Sequence, residues 1–176
     1  MKQLITYINE KLIITRNTGK KHYNYFPKTN QELQDLIKQR IKEEGNKCDL
    51  NDIDVSEITD MSFMFYRSEF NGNISEWNVS KVENMIDMFY NSDFNGDISS
   101  WDVSKVTRMD WMFAFSEFNQ DISSWDVHNV ENMKDMFAAA KFNQDISNWK
   151  VSNVKDMTDM FKLSPLSGKE KEWWNK

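Results

Sequence analysis

The residues of this chain that could do chemistry are a ladder of carboxylates, two histidines and one cysteine. The carboxylates Asp97, Asp121 and Asp145 recur at a constant spacing, with Asp49 and Asn73 at the same position of earlier units. Stacked carboxylates could hold Ca²⁺, which takes oxygen ligands. The glycine-rich calcium repeat is absent, and Asp commonly bonds the amides of its own turn. We therefore expect turn-forming aspartates and no metal or other cofactor.

The remaining reactive side chains do not form a catalytic set. His22 and His128 lie in unlike sequence contexts, and Cys48 has no base beside it. One Cys with two His also argues against a structural zinc site, and a lone Cys cannot form an internal disulfide. The chain has no phosphate loop and no Gly-x-Ser-x-Gly motif. We predict that the protein is not an enzyme.

A repeat of fixed length organises the rest of the chain. The recurring positions are Phe70, Phe94, Phe118 and Phe142; Trp77, Trp101, Trp125 and Trp149; and Met88, Met112, Met136 and Met160. One unit, residues 94–117, reads FNGDISSWDVSKVTRMDWMFAFSE. Five units start near residues 46, 70, 94, 118 and 142, and the last ends near residue 165. Such regular spacing predicts a core built by stacking one unit on the next.

Each unit divides into a predicted strand and a predicted helix. In DISSWDVS, Trp101 and Val103 alternate as in a strand. In SKVTRMDWMF, Val106, Met109 and Phe113 lie on one helical face, and Ser104 stands where an N-cap belongs. We expect Val79, Val103, Val127 and Val151 in one row of parallel strands beside buried Trp residues. We also expect the FN turns to stack through Asn71, Asn95, Asn119 and Asn143.

The ends depart from the repeat, which predicts caps. Residues 1–45 read as a helix over 2–12, a hairpin with Gly19 in its turn, and a helix from about 30 to 44. Thr29 and Glu32 form a capping box for that second helix, and Gly45 ends it. Residues 166–176 form a C-terminal cap or tail after Pro165, with Trp173 and Trp174 available to cover the core. The predicted fold is α/β: a short leucine-rich-repeat-like solenoid of about five strand-helix units behind a helix/hairpin/helix cap.

The units resemble a known family. DISSWDVSKVTRMDWMF and DISNWKVSNVKDMTDMF are similar to the BspA-like leucine-rich repeats of bacterial surface proteins. The resemblance covers about two-thirds of the chain. It implies an adhesion or protein-binding module at a cell surface, with no catalytic centre. The chain as written shows no signal peptide, which is typical of a cytoplasmic protein, whereas the family it resembles is mostly found at the cell surface, so both locations stay open.

Charge restricts the class of partner. Residues 46–165 carry a net charge of −11, against +4 for residues 1–45 and +1 for residues 166–176. An acidic body repels phosphate backbones, which argues against nucleic acid as the ligand. No apolar stretch is long enough to span a membrane. We expect a protein partner.

Two surfaces are candidates for binding that partner. The first is the outward face of the predicted strands, with Glu76, Asn78, Ser100, Asp102, Ser124, Asp126 and Lys150. The second is a set of aromatic residues on the predicted helices, which the core pattern does not require: Phe63, Tyr66, Tyr90, Trp111 and Phe115. The first set could instead be an ordinary solvated face, and the second could pack between repeats.

We therefore expect a non-catalytic module that binds a protein through one face of the solenoid. The alternatives are an assembly subunit of a larger bacterial or phage particle, and an adhesin-like binder at the cell surface. An enzyme or a glycan-acting protein is a further hypothesis. The oligomeric state and the identity of the partner are not encoded in any motif of the chain.

Overall fold

The computed structural model describes residues 23–174. The predicted helix over 2–12, the first strand of the predicted hairpin with Gly19, and His22 lie outside these residues. Within the described part, Tyr25 forms an isolated parallel bridge with Ile53. Neither helix among residues 23–174 has the length and apolar character of a membrane-spanning segment.

Helix α1 spans Asn30–Glu44, as the sequence predicts. The Oγ1 atom of Thr29 accepts a hydrogen bond from the amide of Glu32 at 3.2 Å, which caps the first turn. Gly45 follows with φ of 89°, and its N–H donates to the carbonyl of Ile41 at 2.8 Å. Glycine adopts this left-handed conformation at little cost, so the helix ends there. The apolar face of α1 buries Leu33, Leu36 and Ile37 in the core.

Arg40 joins α1 to the first repeat unit. Its Nη1 atom lies 2.9 Å from Oδ1 of Asp52, and its Nε atom lies 2.6 Å from Oε1 of Glu44. Nη2 donates to the carbonyl of Asp49 at 3.1 Å. The guanidinium also lies 5.2 Å from the ring centroid of Tyr25. These contacts compensate the positive charge of the Arg40 side chain, as its burial requires.

The predicted α/β solenoid of strand-helix units is wrong. The part of the chain that the structure describes holds two helices, α1 and a short one at its end, and isolated bridges in place of strands. The segment expected as a strand makes two turns, in which Trp101 N–H donates to the carbonyl of Ile98 and Val106 N–H to that of Val103. The Val residues are buried but form no row of strands. The unit is therefore not an α/β unit.

The segment expected as a helix is a series of turns for a clear physical reason. An α-helix would use each N–H within the same segment. Here the N–H groups of Met109, Trp111 and Phe113 instead donate to carbonyls of the next unit, at 2.9 Å each. Ser104 caps no helix, and its hydroxyl donates to Oδ1 of Asp102 at 2.6 Å. Turns bury the apolar side chains Val106, Met109, Met112 and Phe113 without a helix.

A ladder of backbone hydrogen bonds joins each unit to the next. At each junction, four N–H groups at alternate positions donate to carbonyls of the following unit. The pairs from the second unit to the third are Met85 to Arg108, Asp87 to Asp110, Phe89 to Met112 and Asn91 to Ala114, at 2.8–3.2 Å. Isolated parallel bridges mark the same register at Asp60, Asn84, Arg108, Asn132 and Asp156. The constant length of the repeat thus sets the register of stacking.

Columns of stacked aromatic rings fill the core. The members of the two Phe columns are Phe65, Phe89, Phe113, Phe137 and Phe161; and Phe70, Phe94, Phe118 and Phe142. Neighbouring centroids within these columns lie 5.3–6.3 Å apart. The predicted burial of the repeated Trp residues is confirmed. Each indole N–H donates to a carbonyl of the preceding unit, as Trp125 does to Ile98 at 3.1 Å.

The C-terminal end of the stack is covered by a helix that the sequence pattern does not predict. Helix α2 spans Lys169–Trp174. Its Trp173 and Trp174 rings lie 5.9 and 6.2 Å from the ring of Phe161. The predicted asparagine stack is also present, since Asn119 N–H donates to Oδ1 of Asn95 at 2.8 Å.

Candidate binding surface

The side chains of the predicted strand face are engaged in the turns themselves. Asp102 accepts hydrogen bonds from the amide of Ser104 at 3.1 Å and from its hydroxyl. This hydroxyl and amide hold the pKa of Asp102 below its ordinary value. Asp126 accepts from the amide and the ring of His128 in the same way, and Asn78 accepts from Ser80. Each of these side chains accepts from the residue two positions further on, which is an Asx turn, and the segment is not a strand.

The neighbouring column of that face ties one unit to the previous one. The hydroxyls of Ser100 and Ser124 donate to the carbonyls of Ser75 and Ser99, at 3.1 Å each. The amide of Glu76 donates to Oδ1 of Asn51 at 2.9 Å. Lys150 is exposed in the last unit. Most polar groups on this face therefore have structural partners.

The repeated aspartates form turns, as the sequence predicts. Asp97, Asp121 and Asp145 accept from the amides of Ser99, Ser123 and Ser147, at 2.8–2.9 Å. The amide of Ser99 lowers the pKa of Asp97 below its ordinary value, since it stabilises the charged form. Within residues 23–174, no group of three His, Cys, Asp or Glu side chains could hold a metal ion.

The aromatic candidates form one continuous surface, called here the aromatic strip: Phe63, Tyr66, Tyr90, Trp111 and Phe115. Ring centroids along it lie 5.7 Å apart from Phe63 to Tyr66 and 5.0 Å apart from Tyr66 to Tyr90. Tyr90 in turn lies 6.1 Å from Trp111 and 5.4 Å from Phe115. The structure thus brings the whole predicted set together across three units.

Three of the five side chains of the aromatic strip are open to solvent, and Tyr90 and Trp111 are half-buried. Phe63, Tyr66 and Phe115 are 49%, 38% and 48% exposed, although Phe65 and Phe113 nearby are fully buried. A groove between α1 and the first unit runs beside the strip, lined by Ile37, Ile41, Phe63, Met64, Tyr66 and Arg67. An exposed apolar surface of this kind is typical of an interaction site.

Three residues of the aromatic strip have a backbone conformation that costs free energy. Phe63, Trp111 and Phe115 have φ of 59–60°, in the left-handed region. Each is the third residue of a turn, since the N–H of the residue after it donates back to the carbonyl of the turn's first residue. A non-glycine residue in this conformation costs on the order of 1–3 kcal/mol. Sequence reasoning missed this conformation, because Gly or Asn would be its usual signal.

A carboxylate interrupts the aromatic strip. Asp87 shares its repeat position with Phe63 and Trp111, and its φ of 53° resembles theirs. Partial burial, with Asp110 nearby, raises the pKa of Asp87 to about 6. Asp110 is paired with Arg108 at 3.0 Å, whereas no ion pair or side-chain hydrogen bond of Asp87 is found among the described residues. The sequence analysis did not single out Asp87, although it stands at the repeat position between Phe63 and Trp111.

A match to a family model shows to which protein family the chain belongs. The profile of a family described as "Mycoplasma protein of unknown function, DUF285" matches residues 31–140 and again residues 114–175. The chain belongs to this family. No curated protein and no solved structure matches the chain.

The DUF285 matches cover nearly all of α1 and the whole of the repeat stack. They bear out membership of a recognised family but not the finer assignment to BspA-like leucine-rich repeats. Each unit of this DUF285 chain consists of turns. The strand face that was predicted as one of the two binding surfaces is therefore not present as a strand face.

Proposed function

We propose that this DUF285 protein is a non-catalytic interaction module that binds a protein partner through the aromatic strip. The observation that carries the proposal is the continuous ring-to-ring contact of five aromatic residues on a surface that the core does not need. Aromatic residues supply much of the affinity at protein interfaces.

The choice of residue at the turn positions supports the same proposal. The two positions with positive φ recur in every unit, and Phe63 and Phe115 fill two of them with side chains that are about half exposed. In the fourth unit, the positions of Trp111 and Phe115 hold Asp135 and Ala139, so the fold does not require aromatic residues there.

The resemblance to BspA-like repeats points to the same class of function. Its four in-phase copies of the Trp-Val-Met-Phe pattern are typical of proteins that bind host proteins or other cells. We include an adhesin-like role at a cell surface in the proposal on that basis alone.

Site-directed crosslinking tests the proposal. A photoreactive residue at position 115 should crosslink a partner from a candidate mixture, whereas one at position 148, on a different set of turns, should not. With the crosslinked partner purified, Tyr66→Ala combined with Phe115→Ala should weaken its binding by at least about tenfold.

The matched control is the pair Asp102→Asn and Asp126→Asn, which removes charge from the other face but keeps the oxygen acceptors of the turns. The control should bind the partner normally. If the control loses binding and the aromatic double variant does not, the aromatic strip is the wrong surface.

A second role, as an assembly subunit, is favoured by four backbone donors at the C-terminal end of the stack, where α2 covers the ring of Phe161 but accepts none of their hydrogen bonds. The N–H groups of Met157, Asp159, Phe161 and Leu163 repeat the donor positions of earlier units, but no acceptor for them lies among the described residues. A second copy offers a poor match, because Asn30 and Gln34 already donate to the first-unit carbonyls of Asp60 and Ser62. The occupant we propose is an extended segment of another protein, whose carbonyls continue the ladder.

Hydrogen exchange tests this role. In the isolated protein the amides of Met157 and Asp159 should exchange much faster than those of Met133 and Asp135, their equivalents one unit earlier. Protection of Met157 and Asp159 in the assembled particle would support the role. Equal exchange in the isolated and assembled states would contradict it.

A further inference from the structure

The aromatic strip contains an acidic notch, defined here as Asp87 with its repeat neighbours Phe63 and Trp111 and its turn neighbour Tyr90. Phe63 N–H donates to the carbonyl of Ile86 at 3.0 Å, and Asp87 N–H donates to that of Asp110 at 3.2 Å. These bonds place the three notch residues of the column in successive layers. Because their φ values are 59°, 53° and 60°, their side chains leave the backbone in the same direction.

The carboxylate of the notch has no counter-charge in the described part of the chain. Arg108 is paired with Asp110, through contacts of 3.0 and 3.2 Å. Arg67 lies over the ring of Tyr66, with 5.2 Å between the guanidinium carbon and the ring centroid. Among the described residues, Asp87 is thus a half-buried anion in the layer between those of Phe63 and Trp111, without a cationic partner.

Resting on the proposed function, we infer that the acidic notch binds a cationic side chain of the partner, an arginine or a lysine. A cation there would meet the faces or edges of aromatic rings and a carboxylate at once. Ring faces attract cations, and the attraction grows when water is excluded. The Arg67–Tyr66 contact shows the same pairing within the strip.

Charge excludes the other common ligands of aromatic surfaces. A phosphorylated or acidic segment would meet Asp87 and Asp110 within a body of net charge −11. A neutral proline-rich segment would cover the carboxylate without pairing it, which costs free energy. A basic segment offsets that cost and is also drawn to the acidic body at long range.

The probe is a capped octapeptide of alternating arginine and glycine, compared with the same peptide carrying citrulline in place of arginine. Citrulline keeps the shape of arginine but has no charge. Binding to the full chain is measured by amide chemical-shift titration at about 0.15 M salt, where the Debye length is about 8 Å. The arginine peptide should bind at least tenfold more tightly and should shift the amides of Asp87, Tyr90 and Trp111.

Two variants distinguish binding at the acidic notch from attraction to the overall negative charge of the protein. Asp87→Asn should lower the preference for arginine over citrulline severalfold and leave only the part that comes from the acidic body. Asp159→Asn, at the same repeat position two units beyond Trp111, should leave the preference unchanged. Equal affinities of the two peptides for the wild-type protein, or an equal loss in both variants, would overturn the inference.

The outcome is distinguishable from failure of the proposed function. If Tyr66→Ala with Phe115→Ala abolishes binding of the crosslinked partner while Asp87→Asn changes nothing, the aromatic strip binds a partner but the notch does not take a cation. If neither set of variants affects the partner, both proposals fail.

Discussion

The rings of Phe89 and Phe113 lie parallel, at an interplanar angle of 0° with centroids 5.4 Å apart, although they belong to successive repeat units. Each ring also stacks on the Phe that begins the next unit: Phe89 on Phe94 at 4.6 Å and Phe113 on Phe118 at 4.2 Å. The core is therefore continuous from unit to unit. Removing one ring should affect the units on both sides of it.

The first prediction concerns that column. Phe113→Ala should lower the free energy of unfolding by about 3–5 kcal/mol, because it opens a cavity among fully buried rings. Phe115→Ala, on the same turns but about half exposed, should lower it by less than about 1 kcal/mol. Urea denaturation of both variants measures the difference. Similar losses in the two variants would contradict the burial pattern.

The repeat was predictable because its signal is periodic. The spacing of Phe, Trp and Met indicated which side chains are buried, and the same spacing predicted the asparagine stack through Asn71, Asn95, Asn119 and Asn143. Helix α1 was predictable because Thr29 and Gly45 are ordinary capping residues. Apolar spacing alone reports which residues point inward, and several backbone paths can satisfy it.

The local structure of the unit was not predictable for that reason. The spacing of Val106, Met109 and Phe113 fits a helix face, but the N–H groups of this segment pair with the next unit instead. Positive φ falls on Trp111 and Phe115, residue types that give no sequence signal for it. The rings of the aromatic candidates lie in contact with one another, but their positions on turns and the acidic notch among them required coordinates.

The second prediction concerns the asparagine stack. Oδ1 of Asn119 accepts from the amide of Asn143 at 2.8 Å and from Nε2 of Gln144 at 3.0 Å. Asn119→Ala leaves both donors without this acceptor and should cost about 1–3 kcal/mol. Asn119→Asp keeps an oxygen at the same place and is the matched control. Thermal unfolding should show a clear loss for the Ala variant and a smaller change for the Asp variant.

The third prediction concerns backbone strain. Leu163 has φ of 60° and is 79% exposed, so its side chain contributes little to the core. Leu163→Gly should raise the free energy of unfolding by about 0.5–1 kcal/mol, because the relief of strain exceeds the added entropy of the unfolded chain. Lys141→Gly, at an exposed position without positive φ, should instead lower stability by about 0.5–1 kcal/mol. A loss in both variants would refute the strain at Leu163.

The fourth prediction concerns pH. Partial burial, with Asp110 nearby, raises the pKa of Asp87 to about 6, above its ordinary value of 3.8. Between these values the folded protein binds more protons at this site than the unfolded chain, so stability from Asp87 falls as pH rises from about 4 to about 6. At about 1.36 kcal/mol per unit the cost at neutral pH is at most about 3 kcal/mol, and contact with solvent reduces it. Asp87→Asn should therefore be more stable than the wild type at pH 7, by about 1–2 kcal/mol, and the advantage should vanish near pH 4.

The control for this prediction has the opposite sign. The amide of Ser99 lowers the pKa of Asp97, so the ionised carboxylate stabilises the fold above its ordinary pKa and loses that contribution as pH falls. Asp97→Asn should therefore be less stable than the wild type at pH 7, and the two should converge at the lowest pH. Denaturant titrations of the three proteins from pH 3 to pH 8 measure both trends. A constant difference between wild type and Asp87→Asn across that range would show that Asp87 is not desolvated, and would remove one support for a cation at the acidic notch.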